Sequence, residues 1–123
     1  SSPTRTIAGL NSFDEKIVLI AGGYDKHLDY TPIAKPIIEH VSKLILVGQT
    51  SEKIEKAVMD ESEKVGVNVP IYKCETLKQT VEKAKEVSSE GEVVLFSPAS
   101  ASFDLFKNFE ERGNKFKELV NEL

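Results

Sequence analysis

The sequence predicts an α/β domain whose mostly parallel sheet is flanked by helices. Four short apolar runs recur along the chain, and stretches with helical periodicity separate them. Such alternation is typical of βαβ units, in which right-handed crossovers join parallel strands. Three of the four runs are almost continuously apolar, as in strands that helices cover on both faces. These observations together indicate a small Rossmann-like domain.

The four apolar runs each predict one strand. They span residues 16–21, 43–48, 69–74 and 92–97. Pro70 cannot donate a hydrogen bond to a neighbouring strand. The third strand is therefore expected to lie at a sheet edge or to begin after the proline.

Apolar positions spaced three and four residues apart predict a helix over 31–41. We expect Thr31 to be its N-cap and Pro32 to occupy the first helical position. Pro36 lies farther inside and is expected to bend or shorten this helix.

Further helices are predicted around the remaining strands. One is predicted at about residues 4–10, before the first strand. Another begins near Thr50 and ends at Gly66. The next opens with a capping box formed by Thr76 and Gln79. A closing apolar stripe predicts a last helix and consists of Phe116, Leu119, Val120 and Leu123.

The composition predicts a single soluble domain. A chain of 123 residues is long enough for one core and too short for two ordinary domains. Its formal net charge of −4 argues against nucleic acid or an anionic membrane as a partner, because both would be repelled. Cys74 is the only cysteine, and no apolar run approaches the ~20 residues of a membrane span. We therefore expect a cytoplasmic protein, and the opening SSPTRT without methionine suggests a domain excised from a longer chain.

The segment GGYDKHLDYTP follows the first strand, at the sheet edge where such folds bind ligands. Gly22 and Gly23 permit backbone conformations closed to other residues, and Lys26 brings an ammonium group beside them. The pattern fits an anion site, and it also fits a tight turn with an exposed lysine.

The segment SPASASFDLFKNFEERG spans residues 97–113, after the last predicted strand. It places three serine hydroxyls where a helix is expected to begin, so free N–H groups there suit a carboxylate or a phosphate. Ordinary N-capping by one serine explains the same pattern. The hydroxyls belong to Ser97, Ser100 and Ser102. Phe103, Phe106 and Phe109 recur every third residue, which is more typical of a core face than of a ligand clamp.

The residues contain no complete catalytic motif. Asp25, His27 and Asp29 are more typical of solvated side chains than of metal ligands. No nucleophile elbow, HExxH, CxxC pair or Walker lysine motif is present. The pattern of residues alone therefore predicts a domain that holds a small anionic molecule, with no catalytic residue and no metal site of its own.

Three segments of the chain resemble the C-terminal domain of the bacterial D-glutamate-adding Mur ligases. They are SSPTRTIAGLNSF, GGYDKHLDYTPI and SPASASFDLFKNFEERGNKFKELV, in that order along the chain. The resemblance implies that residues 1–123 form one domain of a three-domain enzyme. The P-loop and the uridine pocket of the family belong to the other two domains.

The resemblance also implies an activity. The family's full-length enzyme uses ATP and Mg²⁺ to make an acyl phosphate on UDP-N-acetylmuramoyl-L-alanine, and the amino group of D-glutamate attacks it during peptidoglycan precursor synthesis. The C-terminal domain binds D-glutamate and closes over ATP, so this chain is not expected to turn over substrate alone. The alternative is a free-standing Rossmann-like module that binds a small anion or a partner and has no catalytic role.

The resemblance assigns roles to five residues. Lys26 is expected to pair with a carboxylate of D-glutamate, Ser102 to hydrogen-bond a carboxylate, and Phe109 to close the pocket. Phe103 is expected to contribute its backbone. Ser1 falls where the family usually has threonine, and its hydroxyl survives that change.

Overall fold

Five strands form one sheet in the computed structural model of the chain, which describes residues 10–11, 14, 16–23, 29–89, 91–96 and 115–118. The strands are β1 (Ile17–Gly23), β2 (Val41–Gly48), β3 (Ile71–Cys74), β4 (Val93–Phe96) and β5 (Lys115–Glu118). Their spatial order is β3-β2-β1-β4-β5, and every neighbouring pair is parallel. The predicted α/β fold with a mostly parallel sheet is therefore confirmed.

Three α-helices connect the described strands. They are α1 (Ala34–His40), α2 (Ser51–Val65) and α3 (Leu77–Val87), and a 3₁₀ turn over Thr31–Ile33 precedes α1. Among the described residues, no helix is long and apolar enough to cross a membrane.

The helices cover both faces of the sheet. Alternate side chains of β1 point to opposite faces, so Ile17, Leu19 and Ala21 pack on the side of α1 and α2, whereas Val18 and Ile20 pack on the side of α3. This division follows from right-handed crossovers, because β1 to β3 progress in one direction and β4 lies in the other.

The predicted ends of α2 and α3 are confirmed. Gly66 ends α2 in a left-handed conformation with φ 73°, and its N–H donates to Ser62 O at 2.8 Å. Thr76 Oγ1 accepts the Gln79 N–H at 3.1 Å, while the Gln79 side chain accepts the Thr76 N–H, which completes the capping box. Both ends are set by contacts within a few residues, which explains why a local pattern revealed them.

The prediction for the helix over 31–41 was partly wrong. Thr31 is not its N-cap, because the Thr31 N–H donates to Asp29 Oδ1 and residues 31–33 form the 3₁₀ turn. Val41 is the first residue of β2 and pairs with Ile17, so strand pairing takes it out of the helix. The third strand behaves as predicted, since it begins after Pro70 and lies at the sheet edge.

The helix predicted from the closing apolar stripe was wrong at residues 115–118. These residues form β5, whose backbone pairs with β4 from Val93↔Lys115 to Phe96↔Glu118. Hydrogen bonding to a neighbouring strand overrides the local helical spacing there. Most of the helix predicted around residues 4–10 lies outside the described residues, and Leu10 at its end is helical and fully buried.

Candidate functional site

β1 and β4 are adjacent parallel strands in the interior of the sheet. The chain proceeds from β1 outward to β3 and then returns to the other side of β1 to form β4. The strand order therefore reverses between β1 and β4, and parallel sheets bind ligands in the crevice at such a switch point. Phe96, the last residue of β4, pairs with Ile20, and β1 continues three residues farther to Gly23, so the segments that follow these two strands leave from adjacent strands of the sheet.

Close packing between strands requires a glycine at position 22. Gly22 has φ 135°, and a Cβ atom there would lie 1.8 Å from the carbonyl oxygen of Val47. Gly22 lies within β1, and packing against β2 is a sufficient reason for a glycine there, so this glycine is evidence neither for a turn nor for an anion site. Gly23 ends β1 opposite Gly48, so neither strand carries a side chain at that level of the sheet.

Asp29 accepts a hydrogen bond at the start of the 3₁₀ turn that precedes α1. Its Oδ1 accepts the Thr31 N–H at 2.9 Å, and the Ile33 N–H donates to Tyr30 O at 3.1 Å. The hydrogen bonds from Thr31, first through its backbone and then its side chain, hold the pKa of the exposed Asp29 carboxyl below its usual value. An aspartate two residues before a helical turn is a recognisable Asx-turn pattern, and the sequence could have revealed this role.

A shallow cavity of about 320 Å³ lies between this turn and α2. Asp29 and Tyr30 line one side, and Lys53, Lys56 and Asp60 line the other. The lining therefore mixes two ammonium groups with two carboxylates, so the cavity has no single sign of charge.

A buried hydroxyl group lies between β2 and α2. Thr50 precedes α2 and is only 1% exposed, and its Oγ1 has no hydrogen-bond partner among the described residues. Its side chain does not cap α2. Burial of this hydroxyl without a hydrogen bond therefore lowers the free energy of unfolding.

The five residues that the family resemblance singled out all lie outside the described residues. They are Ser1, Lys26, Ser102, Phe103 and Phe109. The structure describes β1 and β4. The segments that contain Lys26 and Ser102 follow these two strands in the sequence. Asp25 and His27 are outside the described residues as well, and within those residues no group of three or more His, Cys, Asp or Glu side chains could hold a metal ion.

Cys74 lies at the carboxyl end of β3, separated from β1 by the whole of β2. Partial burial raises the pKa of the Cys74 thiol, and the ammonium group of Lys83 only partly opposes this. The thiol is therefore poorly suited to act as a thiolate nucleophile.

The opposite, amino-terminal edge of the sheet contains a polar network that the sequence did not reveal. The Glu92 carboxylate accepts hydrogen bonds from Ser42 Oγ, from Lys43 Nζ at 2.9 Å and from the Ser89 N–H. A bulge in β2 leaves Ser42 without a Cα partner in the β1–β2 ladder, and its hydroxyl also donates to the carbonyl oxygen of Ile17 at 3.2 Å. Burial alone would raise the pKa of Glu92, but these hydrogen bonds outweigh it and hold the pKa below its ordinary value.

Known proteins align with the chain from end to end. A protein from Acetivibrio thermocellus named UDP-N-acetylmuramoylalanine--D-glutamate ligase is 58% identical over 125 aligned residues. Proteins of the same name from Clostridium botulinum and Clostridium novyi are 50% and 48% identical over 123 residues.

This chain is homologous to the D-glutamate-adding Mur ligases. The resemblance inferred from its motifs is thereby confirmed, and the alignments cover 100% of the chain, including both polar segments. The chain spans about a quarter of the length of these Mur ligases, 27% in each case. No family model matches it.

Proposed function

We propose that this chain is the D-glutamate-binding domain of a ligase that joins D-glutamate to UDP-N-acetylmuramoyl-L-alanine in peptidoglycan precursor synthesis. The single observation that carries the proposal is the juxtaposition of β1 and β4 at the switch point of the sheet. The two polar segments leave the sheet from these neighbouring strand ends, and the curated relatives that share them bear the name of that ligase.

Residues 1–123 correspond in this proposal to the C-terminal domain of a three-domain enzyme. The relatives are long enough to contain two further domains, since the chain matches 27% of their length. The described residues hold no cluster suited to Mg²⁺. The family resemblance assigns Mg²⁺ and the main ATP contacts to the other two domains, so we expect no turnover by this chain alone.

The proposed chemistry is amide formation. ATP supplies the phosphoryl group that activates the carboxylate of UDP-N-acetylmuramoyl-L-alanine. The amino group of D-glutamate then forms the new C–N bond, and phosphate leaves. The role of this domain is to hold D-glutamate by its carboxylates and to close over ATP, with the amine left free to react.

Lys26 and Ser102 are the proposed carboxylate ligands. A charge-assisted hydrogen bond from each suits an anionic amino acid, and such bonds are worth about 1.5 to 3 kcal/mol. Phe109 and Phe103 are proposed to bound the pocket, and Ser1 to face it from the start of the chain. A cytoplasmic location follows from this assignment, because the nucleotide-linked substrate and ATP are cytoplasmic metabolites.

Titration of the isotopically labelled chain with D-glutamate tests the proposal. We expect the amide resonances of Lys26 and Ser102 to shift together, with weak affinity, because the closed site is shared between domains. L-glutamate is the matched control, since it has the same charge and the opposite configuration. The proposal fails if the two amides do not respond to D-glutamate, or if the response is confined to the amino-terminal edge of the sheet.

The free-standing module remains the competing function, and the coding sequence upstream of Ser1 discriminates between the two. A GxxGKT-type loop and an Asp-Ser-Lys stretch there would support the ligase. A start codon next to Ser1 would support the module.

A further inference from the structure

A groove of about 550 Å³ lies between α2 and the residues that lead into β3. Its apolar and acidic lining residues are Met59, Val69, Ile71, Glu55, Asp60 and Glu63. No lysine or arginine of the described chain lines it. The groove is at the amino end of β3, whereas the switch-point crevice is at the carboxyl ends of the strands. It is therefore a second concave surface, separate from the proposed D-glutamate site.

The apolar side chains around this groove are exposed to solvent. Met59 is 57% exposed, and Val65 and Val67, which lie in the chain between two lining residues of the groove, are 51% and 45% exposed. These three are the exposed large apolar residues of the described chain, and all fall within residues 59–67. Exposed apolar side chains concentrated in one place mark a contact surface, and the flexible thioether of methionine adapts to varied partners.

The charges that line the groove are negative and only partly paired. Lys73 Nζ lies 3.1 Å from Glu55 Oε1, so this carboxylate has a cationic partner. Within the described residues no ion pair includes Asp60 or Glu63, although Lys64 lines an adjoining concavity with both of them. Two unpaired carboxylates beside apolar side chains suit a cation that has a long apolar stem.

We propose that this groove is a docking surface for a basic segment of a partner protein. Arginine or lysine side chains of that segment lay their stems on Met59, Val69 and Ile71, and their charged ends reach Asp60 and Glu63. A second copy of this chain is a poor occupant, because the same acidic surface would then face itself. Binding here requires no D-glutamate and no ATP, so it does not depend on the proposed function.

The test uses the full-length protein that carries this chain and a capped, fluorescently labelled peptide of alternating arginine and valine as the probe. Fluorescence anisotropy measures the dissociation constant. We expect the peptide to bind with a dissociation constant below about 1 mM, and more weakly as salt is added. A peptide of alternating glutamate and valine is the control of reversed charge, and we expect it not to bind.

Variants of the groove separate its charge from its apolar lining. Asp60→Asn combined with Glu63→Gln removes two charges with little change of shape, and it should weaken binding of the arginine peptide by about tenfold or more. Met59→Ser should weaken it by about threefold. Glu82→Gln combined with Glu86→Gln is the matched control, since it removes two exposed carboxylates from α3 on the opposite face of the sheet. It should change the dissociation constant by less than about twofold.

Several outcomes would overturn the proposal. They are the absence of binding to the wild-type protein at millimolar peptide, equal binding of the glutamate peptide, and equal weakening in the two double variants. Met59→Cys shows whether the groove is free, because a thiol reagent should modify it above the wild-type background, which includes Cys74. Protection that disappears on dilution would identify a second copy as the occupant. Protection at every concentration would identify another part of the same enzyme, and either result would also overturn the proposal.

Discussion

Lys43 Nζ lies 2.9 Å from Glu92 Oε1 at the amino-terminal edge of the sheet, where the side chain of Glu92 is 10% exposed and that of Lys43 is 22% exposed. Ser42 and the Ser89 N–H donate to the same carboxylate. The contact joins β2 to the residue that precedes β4, across the intervening strand β1. It therefore holds the strands on the two sides of the switch point in register.

Glu92→Gln should destabilise the protein. The substitution leaves the amine of Lys43 without its charged acceptor, and hydrogen bonds to charged groups contribute about 1.5 to 3 kcal/mol each. Urea denaturation at neutral pH measures the loss. Glu86→Gln is the control, because Glu86 also pairs with a lysine, Lys83 at 3.1 Å, but is 67% exposed. An exposed pair contributes about 0 to 1 kcal/mol, so equal losses in the two variants would contradict the prediction.

The contribution of Glu92 should also depend on pH. Its folded-state pKa is the lower one, so its stabilising effect is complete above the unfolded-state pKa and disappears as pH falls through the folded-state pKa. The difference in unfolding free energy between wild type and Glu92→Gln should accordingly shrink at acid pH. Denaturation series across the acid range measure this difference, and a constant gap would show that the carboxylate charge is not responsible.

Thr50→Val should stabilise the protein by about 1 kcal/mol, because the substitution removes a buried hydroxyl that has no partner and preserves the shape of the side chain. Thr76→Val makes the same chemical change at a hydroxyl that caps α3, and it should destabilise by about 1 kcal/mol. Thermal unfolding of both variants checks the opposite signs. A lower melting temperature for Thr50→Val would mean that its hydroxyl is paired.

Gly22→Ala should destabilise by about 3 to 5 kcal/mol, because the new Cβ would overlap the carbonyl oxygen of Val47 in a backbone with positive φ. Gly66→Ala is the matched control. Gly66 also has positive φ, but nothing lies within 4 Å of its Cβ position, so only the conformational cost of about 1 to 2 kcal/mol remains. Urea denaturation distinguishes the two, and similar losses would rule out a packing requirement at position 22.

Lys26→Ala in the full-length ligase should raise the KM for D-glutamate far more than the KM for ATP, and Ser102→Ala should behave similarly. Loss of one charge-assisted hydrogen bond corresponds to a change of roughly tenfold or more. Lys35→Ala is the control, since Lys35 is an exposed lysine of α1. Equal effects on the two substrates would reject the assignment of Lys26. Unchanged kinetics in Ser102→Ala would indicate that Ser102 caps a helix and does not bind the substrate.

Local signals explain which parts of the fold the sequence could predict. The capping box at Thr76, the left-handed Gly66 and the start of β3 after Pro70 are all determined by neighbouring residues. The strand at 115–118 and the assignment of Val41 to β2 depend on pairing with distant strands. Such pairing leaves no short-range pattern, and helical spacing at those positions was misleading.

The same distinction applies to the sites. The two polar segments were recognisable because each follows an apolar strand, and the strand order supplied the adjacency that the sequence could not give. Glu92 and Ser42 are separated by fifty residues, so no motif links them. The sequence indicated that Asp29 is a solvated side chain, and it did not indicate that the Asp29 oxygen accepts a backbone hydrogen bond.

The central place of β1 has a consequence for the dynamics of the molecule. Its residues Ile17–Ile20 are fully inaccessible to solvent, and strands flank it on both sides, whereas among the described strands β3 has a neighbour on one side only. Amide protons of such an inner strand exchange with solvent only when the whole domain opens, while an outer strand frays by itself. The GGYDK segment therefore begins in the strand that we expect to unfold last. Local unfolding of an outer strand leaves the start of this segment in place.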